Sequence, residues 1–313
     1  MVAVWIGAVV VGLGAAVIAS RKAVAHASTL AFGLKVPPFL IGLTLLAIGT
    51  DLPEIANSIV ASLSDHGDLN VGDSLGSTIT QVTLVLGLLP IIGRRSFTVG
   101  RDRVLIPALI IAGQLGVIAL LLQDGQFSRV DGATLLALWV GGSFLMWRSA
   151  PSPSEPAISV SSHRKSYHVA ATLLALGIVG AGATLAVFGL IELAETFGLP
   201  EFIIAFFGTA IGTSLPELVV AVTAIRRGER DLAIGDVFGA SLLDSSLSIG
   251  IGPLIAPTMI TADLAVASAL TGAGALLLIA ALMTRFERHT PWTGLALIAL
   301  YAAFFPLLLI IQG

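Results

Sequence analysis

The sequence predicts an all-α polytopic membrane protein, with ten transmembrane helices arranged as two inverted five-helix repeats. Three observations lead there: the composition, the spacing of the apolar runs and an internal repeat. Of the 313 residues, 56% are hydrophobic and only 11% are charged, and the mean hydropathy is +0.99. A soluble globular domain carries roughly 25% charged residues, so this chain is expected to take the lipid bilayer as its partner. Its apolar runs are continuous and lack the alternating pattern of outer-membrane strands, which favours helices over a barrel.

Ten stretches are long enough to cross a hydrocarbon core about 30 Å thick. They lie near residues 2–20, 36–64, 70–92, 104–123, 132–147, 168–190, 200–225, 231–256, 263–283 and 291–311. A cleaved leader has a basic stretch before its apolar core, whereas here Arg21 and Lys22 follow the first run, which therefore reads as the first span. All but Arg129 of the 16 Lys and Arg residues fall in alternate connections, for instance Arg94, Arg95, Arg101 and Arg103, then Arg148, Arg164 and Lys165. Because basic loops stay on the cytoplasmic side, the expected placement is a multi-pass protein of the cell membrane with both termini outside. The Ser- and Pro-rich stretch 149–167 reads as a cytoplasmic linker between a first repeat, 1–148, and a second, 168–313. His163 and His168 there read as solvated loop residues. With no cysteine, disulfides and thiolate metal sites are excluded. The net charge of −3 decides nothing about partners, and no basic patch suited to nucleic acid is present.

Shifting the chain by 163 residues aligns 37–90 with 200–253, and about a third of those positions are identical. The identities include "AIGT", "LPE" and "GD". Apolar composition would match leucine to valine by chance, but not those polar residues. Each half holds five spans, an odd number, so the second half is expected to enter the membrane from the opposite side. That plan recurs in secondary transporters, which bind substrate near the midplane between the halves. Transport is therefore the leading class of function.

The phrases "AIGTDLPEIANS" (47–58) and "AIGTSLPELVVA" (210–221) carry the chemistry. Proline removes a backbone donor and obstructs the carbonyl one turn earlier: Gly49 for Pro53, Gly212 for Pro216. Carbonyls around Ala47 to Thr50 and Ala210 to Thr213 should be freed as ligands. Glu54 lies four residues after Thr50 and Glu217 four after Thr213, so each pair shares a helix face. A carboxylate at membrane depth costs several kcal/mol unless paired, protonated or coordinating. No Lys or Arg lies at comparable depth, which leaves cations or protons. In the second phrases, "GDSLGSTITQ" (72–81) and "GDVFGASLLDSS" (235–246), Asp73, Ser77 and Gln81 follow a four-residue spacing, and Asp244 occupies the place of Gln81. Glycines 72, 76, 235 and 239 are expected to let helices approach closely. The all-oxygen set suits hard cations such as Ca2+ and Na+ and argues against zinc or copper.

These two phrases, each followed by a glycine-rich segment, resemble the alpha repeats of the calcium/cation antiporter superfamily, most closely its prokaryotic sodium/calcium exchangers. The resemblance covers both repeats and the ten-span plan. It implies a secondary antiporter that exchanges Ca2+ for Na+ by alternating access, not an enzyme and without cofactors, with a monomer sufficient for transport. By motif position it implies that Glu54 and Glu217 are the principal Ca2+ ligands, joined by the carbonyls of Thr50 and Thr213. Ser77, Ser214, Asp244 and the carbonyls of Ala47 and Ala210 would complete flanking Na+ sites. It also implies that the first and sixth spans slide once bound cations have neutralised the cluster. Four departures bear on coupling: Asp51 replaces the usual serine, Gln81 an asparagine, and Asp73 and Asp236 asparagines, while Ala240 lacks a serine hydroxyl and Thr78 and Ser241 replace asparagines. Asp51 is a candidate cation or proton ligand, which motivates the alternative of a proton-coupled exchanger of Ca2+ or another divalent cation. Asp73 and Asp236 are expected to hold helix ends or line the approach, and Asn57 to act as an interhelical hydrogen-bond partner. An intramembrane aspartyl protease built on "VGD" and "IGD" would give the Pro-Glu phrases no role, and a channel would not need two fused halves.

Overall fold

The computed structural model describes residues 2–94, 96–149, 162–196, 213–286 and 288–312, and almost all of them are helical. The helices are α1 (Val2–Leu34), α2 (Pro38–Thr50), α3 (Leu52–Leu63), α4 (Gly67–Ile92), α5 (Asp102–Asp124), α6 (Arg129–Ser149), α7 (Ser162–Thr196), α8 (Leu215–Arg227), α9 (Arg230–Ile255), α10 (Ala262–Phe286) and α11 (Pro291–Gln312). Seven single helices among the described residues are long and apolar enough to cross a membrane, and α2 with α3 forms an eighth candidate, bent by 47°. The helix α11, 22 residues long, matches the last expected stretch. The first half of the stretch expected at 200–225 lies outside the described residues, as does most of the expected linker.

The first helix departs from expectation. It runs 33 residues, about 50 Å at 1.5 Å per residue, instead of stopping near residue 20. Nothing breaks it at Arg21 and Lys22, because both are good helix formers. It ends only at Lys35, whose φ of 56° leaves the helical region, just before the Pro37-Pro38 pair. The helix α7 is similarly long, at 35 residues, and starts at Ser162.

The turn after the Glu-bearing helix is built alike in both halves. His66 N–H bonds to the Ala61 carbonyl (2.8 Å) and Glu229 N–H to that of Ala224 (2.9 Å). The reversal needs a left-handed residue, supplied by Asp65 (φ 59°) in one half and Gly228 (φ 83°) in the other. Two short antiparallel ladders were not foreseen. Strand β1 (Phe97–Thr98) pairs with β4 (Arg288–His289), and β2 (Gln126–Phe127) with β3 (Thr258–Met259).

By contact the chain groups into two units, residues 1–50 with 152–236 and residues 51–151 with 237–313. In the first, α1 packs along α7, with Gly12 against Gly182 so closely that a Cβ on Gly182 would come within 2.7 Å of the Gly12 carbonyl oxygen. In the second, α5 packs on α10, α6 on the end of α9, and α11 on the end of α4. Gly87 meets Gly294 in one of these crossings and Gly132 meets Gly250 in another. Gly235 packs its backbone against Phe39, as expected of a small residue, but Gly72 faces open space and brings no helix closer. Large apolar side chains such as Val4, Leu120, Val130 and Trp292 are exposed, while Asp51, Glu54, Glu217, Asp236 and Asp244 are buried. A lipid-facing exterior makes that distribution favourable, since lipid, unlike water, does not penalise exposed apolar groups.

Pro90 and Pro253, alike in the repeat, interrupt α4 and α9. Each lacks the N–H that would reach the carbonyl four residues back, at Leu86 and Ile249. The structure supplies other donors: His289 Nε2 at 2.8 Å from the Leu86 oxygen, and Asn70 Nδ2 at 3.0 Å from that of Ile249.

Candidate functional site

The break in each half has one backbone design. Asp51 (φ −80°, ψ 2°) and Ser214 (φ −81°, ψ 5°) stand at the N-caps of α3 and α8, and a proline follows in the first turn of each helix. Neither side chain caps its helix. Glu54 and Glu217 lie in those first turns, where the helix dipole favours the anionic carboxylate by about 0.3–1 kcal/mol. Burying a charge at membrane depth costs several kcal/mol, so the dipole alone cannot hold two buried glutamates ionised.

In the first unit the site residues are Ala47, Thr50, Thr213, Ser214 and Glu217. The helix α8, which carries Glu217, packs against the Ala47–Thr50 end of α2, so motif elements from the two halves meet there. Thr50 and Ala47 are buried, and the Thr50 hydroxyl bonds to the Leu46 and Ala47 carbonyls at 3.2 and 3.1 Å. Ser214 and Glu217 are buried, and Thr213 is partly so. Ala210 lies outside the described residues.

In the second unit the site residues are Asp51, Glu54, Ser77, Gln81 and Asp244, all essentially inaccessible. Here α3, which carries Glu54, packs against the Asp244–Ser248 turn of the other half. Gln81 and Asp244, which occupy the same place in the repeat, are joined directly: Gln81 Nε2 donates to Asp244 Oδ2 at 2.9 Å. Ser241 Oγ donates in turn to Gln81 Oε1 at 2.9 Å, so the amide is engaged at both ends. Asn57 Nδ2 donates to Asp73 Oδ2 at 2.6 Å, the interhelical role expected of Asn57.

Sequence reasoning missed two features. Gln81–Val85 and Asp244–Ser248 are π-helical turns that begin at equivalent positions, and Gly42–Leu46 forms a third. Such turns gather at functional sites because the wider ring leaves backbone groups out of register, yet no residue type announces them. Gln114 was also missed: its Oε1 accepts from Ser245 Oγ at 2.8 Å and its Nε2 donates to the Leu138 carbonyl at 3.1 Å. An amide in the middle of the apolar run 104–123 was the available signal.

A helical membrane protein whose interior offers buried carboxylates, hydroxyls and carbonyls at broken helices belongs to the class that moves inorganic cations. The sodium/calcium exchanger protein family matches residues 4–148 and 167–310. The chain is a member of the sodium/calcium exchanger family. It is 34% identical to inner membrane protein YrbG of Escherichia coli over 79% of each chain, and 26% identical to sodium/calcium exchanger MaX1 of Methanosarcina acetivorans over 90% of this chain and 91% of that one. Among solved structures, that of the sodium-calcium exchanger NCX_Mj soaked with 10 mM Na+ and zero Ca2+ superposes with a TM-score of 0.80 at 26% identity, covering 98% of this chain and 99% of that one.

Proposed function

We propose that the chain exchanges Ca2+ for Na+ across the cell membrane by alternating access, at one midplane site built from both repeats. The single observation that carries this reading is the duplicated break, the same backbone conformation at Asp51 and Ser214 with proline and glutamate following in both halves. Glu54 and Glu217 are the principal Ca2+ ligands, with the Thr50 and Thr213 carbonyls. Ser77, Ser214, Asp244 and the Ala47 and Ala210 carbonyls form flanking Na+ positions, with Asp51 and Gln81 beside them. The halves, 1–148 and 168–313 joined through 149–167, are inverted repeats of five spans with both termini outside. Two structural recurrences support a repeat. The β1–β4 and β2–β3 ladders fall at corresponding places in the two halves, and so do the Gly87–Gly294 and Gly250–Gly132 crossings.

A second reading, proton-coupled exchange of Ca2+ or another divalent cation, is favoured by Asp51, a fully buried carboxylate in the place that Ser214 holds in the second half. Proteoliposomes separate the two. Ca2+ uptake driven by an outward Na+ gradient is expected, and it should vanish in Glu54→Gln and Glu217→Gln. Uptake that persists without Na+ under an imposed pH gradient would overturn Na+ coupling, and uptake unaffected by either substitution would overturn the site.

A further inference from the structure

Between the end of α10 and the start of α11 lies a crevice of about 200 Å³, wholly within the second unit. Met283 and Phe286 line it from α10, Trp292, Ala296 and Leu297 from α11, and Arg288 and His289 of β4 complete it. The polar groups inside are engaged with one another. His289 holds the Leu86 carbonyl through Nε2 and lies 2.8 Å from Thr293 Oγ1 through Nδ1, and that hydroxyl also accepts the Thr290 N–H at 2.8 Å. A water there would lack the polar partners it needs, whereas a hydrocarbon chain needs none. Phe286 is exposed and Trp292 is 80% exposed, which opens the crevice to the exterior. An exposed tryptophan suits the level where acyl chains give way to headgroups.

That level is also strongly basic. Arg288 lines the crevice and is exposed, and Arg285 stands exposed in the last turn of α10. The ladder sets Thr98 opposite Arg288 and so brings the 94–103 connection alongside. Residues 94–103 and 285–288 together carry six arginines against two acids, Asp102 and Glu287. A neutral lipid would fill the crevice but leave this charge unanswered, and a free anion would answer the charge but leave the crevice unfilled. A guanidinium suits phosphate in both charge and shape. We propose that the crevice binds an anionic phospholipid, with one acyl chain between α10 and α11 and its phosphate against Arg285 and Arg288. None of these residues belongs to the ion-binding set, so the site is additional to cation exchange.

The test titrates the purified full chain, in a neutral detergent, with phosphatidylglycerol or phosphatidylcholine. Lipid retained by the folded protein is read by native mass spectrometry, and thermal unfolding is followed in parallel. Phosphatidylglycerol should raise the unfolding temperature and reach half-saturation at about one-tenth the concentration of phosphatidylcholine, a preference of the size that two arginines near an anionic headgroup supply. The double variant Arg285→Gln with Arg288→Gln should hold both lipids equally, whereas Arg285→Lys with Arg288→Lys should keep the preference. Ala296→Trp, which fills the crevice, should cut retention of both lipids. Scoring retention on the folded species keeps a change in intrinsic stability from imitating a loss of binding. Equal half-saturation by the two lipids in the native chain overturns the proposal. So does a preference that survives the double glutamine variant, which would place the headgroup elsewhere, and so does retention unmoved by Ala296→Trp, which would leave no chain seated in the crevice.

Discussion

At the scale of single residues, the strongest dependencies come from polar groups that answer a proline. His289 is buried between the β1–β4 ladder and α4, with Nε2 bonded to the Leu86 carbonyl, Nδ1 2.8 Å from Thr293 Oγ1 and its ring edge-on to Phe97. Burial lowers its pKa below the usual histidine value, and the bond to the Leu86 carbonyl only partly offsets that. The unfolded chain therefore takes up a proton near pH 6.5 that the folded chain refuses until lower pH, so stability is full above that range and falls as pH drops through it. Thermal unfolding of the purified protein at pH 7.5 and 5.5 should show this loss, and His289→Gln should flatten it; an unchanged pH slope in the variant would refute the assignment. Asp65 pays for a left-handed conformation that Gly228 adopts freely. Asp65→Gly should be neutral or stabilising, whereas Gly228→Ala should destabilise by about 1 kcal/mol, measured by the same unfolding assay. The two Pro-Glu phrases were legible in the sequence because acids and prolines are conspicuous in apolar runs. Gln114 and His289 were not, since what matters about them is a partner 131 or 203 residues away.

At the scale of elements, a proline inside a packed helix is tolerated here only because another helix donates to the stranded carbonyl. Asn70→Leu should therefore cost about 1–3 kcal/mol, the penalty for a buried acceptor left bare. Restoring the backbone N–H with Pro253→Ala in that background should recover most of it, a double-mutant comparison in which simple additivity would count against the account. Element order was readable because spans are long apolar runs, and eight of the expected stretches stand as candidate spans among the described residues. The end of the first helix was misplaced because charge marks where a membrane stops and not where a helix does. The π turns and two-residue ladders left no trace, for both depend on what lies opposite them.

At the scale of the whole molecule, the two halves are the same text used twice, and the sequence showed this through polar identities at a fixed offset. The sidedness proposed from charge can be tested directly, because the chain contains no cysteine. Single cysteines at the exposed Ser149 and Gln126 should react with membrane-impermeant maleimide from opposite sides of right-side-out vesicles, Gln126→Cys from outside and Ser149→Cys only after permeabilisation. Equal labelling of both would overturn the proposed topology. The bond between Gln81 and Asp244 has a further consequence. A residue can touch its own counterpart only where the operation relating two copies leaves space unmoved, so any two-fold relating the halves runs beside this pair. Two identical copies of such a half would confront like with like there, amide with amide or acid with acid. Fusion into one gene lets the position hold an amide on one side and an acid on the other. Gln81→Asp alone should then impair folding or expression, and the exchange Gln81→Asp with Asp244→Gln should restore it.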